Sequence, residues 1–195
     1  AVVVLETPQA TITSALLSEL AAHGAAVITC DATHHPNGVL LPYLPHSRAS
    51  KVMQAQLALT APQKKRAWQG LVQQKLRNQA TCLDQFVPQA GRWLREQAER
   101  VRSGDPDNRE GSAAKYYFLE LFGRNFTREQ DVWQNAALNY GYAILRAAIA
   151  RSLVSYGFLP AFGLHHHSQL NAFNLADDLI EPLRPVVDQW VRAQQ

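Results

Sequence analysis

Hydrophobic positions change their period along this chain. Near the start they come in short unbroken runs. Residues 2–6 (VVVLE) and 25–31 (AAVITCD) each read as a buried strand, and 39–44 (VLLPYL) as a third, broken by Pro42. Between the first two runs, residues 11–20 (TITSALLSEL) place their apolar side chains at helical spacing, with Thr or Ser to cap the segment and Gly24 to stop it. Pro36-Asn37-Gly38 is turn chemistry ahead of the third strand. Three short strands are too few to close a sheet on their own. From about Pro45 the strand runs vanish, and the helical period predicts helices over roughly 48–60, 63–86, 89–103, 109–122, 135–156 and 173–193. Pro62 suits a helix start and Asn135 an N-cap, while the 135–156 segment is apolar nearly all round and predicts a central buried helix. Pro182 and Pro185 should bend or restart the last helix. The expected fold is mainly α, with a helical domain over 47–195 preceded over 1–46 by a small β-rich (α+β) domain.

Composition fits that picture. At 195 residues, 47% hydrophobic and 18% charged, the chain can bury a real core and is neither disordered nor rich in membrane-length apolar runs. The opening residues lack the basic flank of an export signal, so the cytoplasm is the default compartment. Cys30 and Cys82 stand in no metal or redox spacing and read as two buried, reduced thiols. The net charge of +3 conceals an asymmetry. Residues 1–47 carry three acids and no Lys or Arg (−3), 48–151 carry 17 bases and 9 acids (+8), and 152–195 carry two bases and four acids (−2). A basic middle beside an acidic cluster suits a polyanion held on one surface and a metal held nearby. Charge bias by itself equally describes a solvated helical face.

Candidate chemistry concentrates late in the chain. Gly163-Leu164-His165-His166-His167 sets imidazoles beside a turn, and residues 174–188 carry Asp177, Asp178, Glu181 and Asp188. If 174–181 is helical, Asp178 and Glu181, three apart, share a face and repel one another unless a cation intervenes. Removing either charge would then stabilise the metal-free protein. Carboxylate oxygens with an imidazole suit a hard divalent ion such as Mg²⁺ or Mn²⁺, and no zinc spacing is present. The plainer alternative is a helix-dipole match and a solvated acidic face. The turn cluster 103–108 (SGDPDN) delivers Arg109 and Glu110 to a first helical turn. There Glu110 is either a dipole partner or, if the small residues Gly111, Ser112, Ala113 and Ala114 mark tight packing, a half-buried acid in need of a partner. His34-His35 reads as a surface turn.

Four ordered motifs, 103–110 (SGDPDNRE), 135–146 (NAALNYGYAILR), 163–167 (GLHHH) and 174–188, together closely resemble the CRISPR-associated spacer integrases, the first-numbered protein of the Cas series, in its type II form. Residues 12–17 and 37–42 match the late part of that family's N-terminal domain. The resemblance implies a metal-dependent DNA integrase and endonuclease in which a 3′-OH of a short foreign duplex attacks a phosphodiester of the CRISPR repeat. By motif position it implies Glu110, His166 and Glu181 as catalytic residues and Glu110, His166, Asp178 and Glu181 as metal ligands, with Mg²⁺ or Mn²⁺ as cofactor. For phosphate contact the basic region offers Lys64, Lys65, Arg66, Lys75, Arg77, Arg102, Arg109 and Arg146. The implied partners are double-stranded DNA (protospacer and repeat), a second copy of the chain, a small ferredoxin-like CRISPR protein and a type II effector nuclease, with no membrane. The family's opening strands are missing from this sequence, so an N-terminally shortened member is expected. Two rival readings remain at this level: a helical DNA-binding module without chemistry, and an all-α metallohydrolase of small molecules.

Overall fold

A computed structural model describes residues 1–32, 36–43 and 48–195. The chain folds into two compact units, one built from 1–59 and 139–177, the other from 60–138 and 178–195. The pair at His34-His35 lies outside the described residues. Helices dominate, as the hydrophobic period predicts, and no helix is long and apolar enough to cross a membrane.

In the first unit, β1 (Val2–Leu5), β2 (Ala26–Cys30) and β3 (Pro36–Leu40) form one sheet in that order. β1 and β2 run parallel, with Val3 opposite Val27, and a parallel pair requires a crossover, which α1 (Ser14–Ala22) supplies. Thr13 caps α1 by accepting a bond from the Leu16 N–H, and Gly24, at φ +65°, ends the turn in a conformation that favours glycine. Ala26, Val27 and Ile28 are all buried, as expected of a central strand covered on both faces.

The third strand corrects the sequence reading. Pro36-Asn37-Gly38 is part of β3, antiparallel to β2, not the turn before it. Gly38 sits opposite Thr29, where a Cβ would lie 2.6 Å from the Thr29 hydroxyl oxygen, and that hydroxyl donates to Asn37 Oδ1 at 2.9 Å. The glycine serves close strand approach, and Pro36 opens an edge strand where it need donate nothing.

The second unit is organised by α3 (Ala61–Asp84), which opens on a Thr60–Gln63 capping box with Pro in its first turn. Its buried stripe of Trp68, Val72, Leu76, Ala80 and Leu83 joins Leu94 and Ala98 of α4 (Gly91–Glu99) and Ala113, Tyr117 and Leu121 of α5 (Arg109–Phe122) in one core. Spacings of three and four put each set on one face of its helix. Gly91 is required by contact, because a Cβ there would stand 2.4 Å from the Ala80 carbonyl oxygen. The chain ends in α7 (Asn174–Ile180), a 3₁₀ turn (Glu181–Leu183) and α8 (Arg184–Ala193), broken at the two prolines as expected.

Two helix expectations change. α6 (Trp133–Ser155) is half-buried along most of its length, with Leu138, Tyr142, Ala147, Ala150 and Leu153 as its buried apolar positions, so it is not a fully enclosed core helix. Asn135 is inside α6 and does not cap it. Its buried amide donates to the Thr127 and Gln130 carbonyls at 2.8 Å each, which ties the preceding loop to the helix. Of the cysteines, Cys82 is buried and Cys30 half-buried, and both are free thiols.

Candidate active site

The turn at 103–108 builds the first corner of the site. Gly104, Asp105 and Asn108 all adopt positive φ, near +79°, +49° and +48°. Asp105 folds its carboxylate back to accept from the Arg109 N–H at 3.0 Å and the Glu110 N–H at 2.9 Å. Asn108 accepts from the Gly111 N–H at 3.2 Å. Three of the orphan donors at the start of α5 are thereby satisfied by a loop written into the sequence, and Glu110 is held in the first helical turn. Gly111 and Ser112 prove exposed, so they do not mark close helix packing. A Cβ at Gly111 would come within 2.7 Å of Asn108 Oδ1, which makes its glycine a condition of the cap.

Glu110 is nevertheless the half-buried, partnered acid of the sequence alternative. Its carboxylate meets the ammonium of Lys75, which comes from the middle of α3. The same Nζ donates to Glu181 Oε2 at 2.5 Å, and the other Glu181 oxygen accepts from Arg184 Nε at 2.9 Å. Lys75 and Glu181 are each only 5% exposed. Burial would raise the Glu181 pKa, but the Lys75 and Arg184 cations outweigh it and hold the carboxyl below its ordinary value. Burial would lower the Lys75 pKa, and the two carboxylates reverse that, so the ammonium stays charged. Two acids 71 positions apart in sequence therefore converge on one buried positive charge.

That charge revises two expectations. Lys75, grouped by sequence with the phosphate binders, is enclosed between carboxylates. The missed signal lay in register: Lys75 is three residues after Val72 and four before Gln79, on the stripe that α3 buries. Neutralising Glu181 would strip a buried ammonium of a partner, so the expected gain in stability from removing its charge reverses sign.

The remaining acids separate. Asp178 is fully buried, at 0% exposure, in the second unit. Asp177, in the first, pairs with Arg146 at 2.6 Å and accepts from Asn171 at 2.6 Å, and Arg146 lies over the Phe173 ring at 4.8 Å. Asp188, buried on α8, sits near Tyr117 and Cys82, where burial followed by the Asp188 charge drives the Tyr117 phenol far above its usual range. Among the described residues, no group of three or more His, Cys, Asp or Glu side chains stands ready to hold a metal ion.

His166 belongs to the first unit, in a loop fixed from both ends. The buried Gln56 amide of α2 (Ala49–Leu57) donates to the Leu159 and Phe162 carbonyls at 2.9 Å each and accepts from the Leu159 N–H at 2.9 Å. Asn174 donates to the carbonyls of Ala161, Ser168 and Asn171 at 2.9–3.1 Å. Within the triplet, His166 is half-buried while His165 and His167 are exposed. The His167 ring bonds the His165 carbonyl at 2.8 Å, and the His165 and His166 rings meet edge to face.

Of the other basic candidates, Lys65 and Arg66 are exposed and Lys64 half-exposed in the first turns of α3. Arg77 pairs with Glu99 at 2.9 Å, Arg102 forks onto Asp107, and Arg109 bonds Gln97 at 2.7 Å.

Comparison with known proteins accords with this architecture. The family model described as CRISPR associated protein Cas1 matches residues 2–194. The CRISPR-associated endonuclease Cas1 of Neisseria meningitidis serogroup C (strain 8013) is 52% identical over 192 residues, covering 98% of this chain and 63% of that protein. Among solved structures, a casposase bound to integration product superposes with a TM-score of 0.79 at 21% identity, over 98% of this chain and 59% of that one. A chain of a Cas6-RT-Cas1–Cas2 complex gives 0.73 at 22%, over 98% of this chain and 23% of that one. The chain thus spans about three fifths of the length of the curated relative, and the two solved structures share its fold. With a family match running through nearly all of its length, the chain belongs to the CRISPR-associated Cas1 family.

Proposed function

We propose that this chain carries the catalytic machinery of a DNA integrase and endonuclease of CRISPR spacer acquisition, with residues 47–195 as its catalytic domain. The observation that carries the reading is the convergence of Glu110 and Glu181 on one buried cation. The relative's name, an endonuclease, and the neighbour's title, an integration product, support the same chemistry.

In this reading an oxygen of a DNA 3′-OH forms a bond to a repeat phosphorus while the bond to the leaving 3′ oxygen breaks. The proposed donor set of Glu110, Asp178, Glu181 and His166 offers carboxylate oxygens and one imidazole, a chemistry that suits a hard divalent cation, Mg²⁺ or Mn²⁺. Such an ion, when bound, supplies charge stabilisation at the phosphoryl and leaving oxygens. The protein contributes position. Asp105 and Asn108 fix the start of α5 and with it Glu110, while Arg184 fixes Glu181 through its second oxygen. His166, on its pinned loop, either ligates the ion or takes the proton of the attacking hydroxyl. Lys64, Lys65 and Arg66 offer exposed charge to DNA phosphates, and Arg77, Arg102, Arg109 and Arg146 reach phosphates by exchanging the partners that hold them here. A second copy of the chain, a small ferredoxin-like partner of the Cas2 type and a type II effector nuclease complete the proposed assembly; the Cas1–Cas2 title of a neighbouring structure supports the second of these.

Strand transfer and branched-DNA cleavage with Mn²⁺ test the reading. Glu110→Ala and His166→Ala should each lower the rate by about 10²-fold or more. If both leave the rate unchanged, the assignment is wrong; if the parent binds DNA but transfers no strand under any divalent ion, the chain is a binding module.

A further inference from the structure

The positive charge between the two carboxylates belongs to the protein itself. Lys75 Nζ bonds Glu110 Oε1 and Glu181 Oε2, one oxygen from each of two carboxylates that would hold a divalent ion. We propose that Lys75 is a built-in placeholder for that ion: its ammonium holds Glu110 and Glu181 together in the metal-free protein and leaves those oxygens when an ion takes them. The inference rests on the functional reading above and adds an exchange step to it.

Three features carry it. The first is identity of place. A hard ion binds carboxylate oxygens at about 2.0–2.6 Å, so an ion seated on the oxygens that Lys75 holds would stand a few ångströms from the ammonium, and the two positive charges would repel strongly in a buried site. The second is asymmetry in the bonding of Glu181. Arg184 holds Oε1 and Lys75 holds Oε2, so losing Lys75 leaves the carboxylate still oriented by the guanidinium. The third is the side chain supplied. Lysine carries a compact charge on a four-carbon stem that can swing aside, whereas a planar guanidinium would be committed to a fork. Val72, Leu76 and Gln79 are buried around the base of that stem, so α3 itself need not move when the tip does.

The exchange is read with Mn²⁺ as the probe. In the parent protein, Lys75 should resist amine acetylation in chelator and become several-fold more reactive in saturating Mn²⁺, scored by peptide mass spectrometry. Magnesium-free sodium salt at equal ionic strength should leave the protection intact. Lys75→Met should melt below the parent in chelator yet bind Mn²⁺ roughly tenfold more tightly, because no ammonium competes for the competent site. Equal protection of parent Lys75 with and without Mn²⁺ overturns the proposal, whether or not Lys75→Met folds. Glu110→Gln separates this failure from that of the functional reading. If parent and Glu110→Gln bind Mn²⁺ alike, both fall; if Glu110→Gln loses the ion while Lys75 protection ignores it, the exchange alone falls.

Discussion

Glu181 shows how a residue's neighbours decide the sign of its effect. From spacing alone it is one of two repelling acids, and its removal should stabilise the protein. In the structure it is clamped between Lys75 and Arg184. Glu181→Gln should therefore destabilise the metal-free protein by about 2–4 kcal/mol, somewhat below the cost of breaking a buried pair outright, since Lys75 keeps Glu110. Its pH dependence follows from a folded pKa that lies below the ordinary 4.5. A depressed carboxyl contributes its full stabilisation above the unfolded pKa and loses it as pH falls through the folded value. Denaturant titrations of parent and variant should thus differ most near neutral pH and converge in acid. A gap that widens on acidification would contradict the pairing. The acids were legible in the sequence as a charged cluster; their cation was not, because a lysine in a helix is ordinarily a surface residue.

At the level of elements, the turn before α5 is the best-specified piece of the chain. The series Ser103-Gly104-Asp105-Pro106-Asp107-Asn108 announces a turn, and the structure shows Asp105 and Asn108 capping the helix that follows. Asn108→Ala removes a cap bond and leaves a β-carbon at φ +48° without the local hydrogen bonding that suits asparagine to that region. It should cost about 1–2 kcal/mol, and Asn108→Gly less, because glycine relieves the backbone but not the cap. Gly111→Ala should cost about 1 kcal/mol by pushing the Asn108 side chain out of place. In the Asn108→Gly background most of that cost should vanish, a non-additivity that thermal melts of the four proteins would measure. Additive losses would mean that Gly111 is needed for some other contact. Elsewhere the local signals misled. Asn135 looks like a cap and is a loop staple, and Pro36-Asn37-Gly38 looks like a turn and is a strand, because the partners of both come from residues several positions away.

For the whole molecule, the positive middle of the chain makes a prediction that no single contact can. If residues 48–151 hold DNA phosphates, the logarithm of affinity should fall with the logarithm of salt with a slope of about −4 or steeper, set by the counterions released. Replacing Lys64, Lys65 and Arg66 together by Ala should flatten that slope by about 2–3 while leaving the melting temperature nearly unchanged. Anisotropy titrations on duplex DNA would read both, and a slope near zero would remove DNA as the ligand. The sequence by itself determined what local pattern can encode: the mainly helical fold, the breaks at Pro182 and Pro185, the turn that opens α5, and through ordered motifs the family. Only tertiary structure decided that α3 points a lysine inward, that Glu110 and Glu181 meet on it, and that His166 is the sheltered member of its triplet. The physical reason is range. Period, caps and turns are settled within a few residues, whereas the charge of a buried group is settled by whichever partner packing brings to it from elsewhere in the chain.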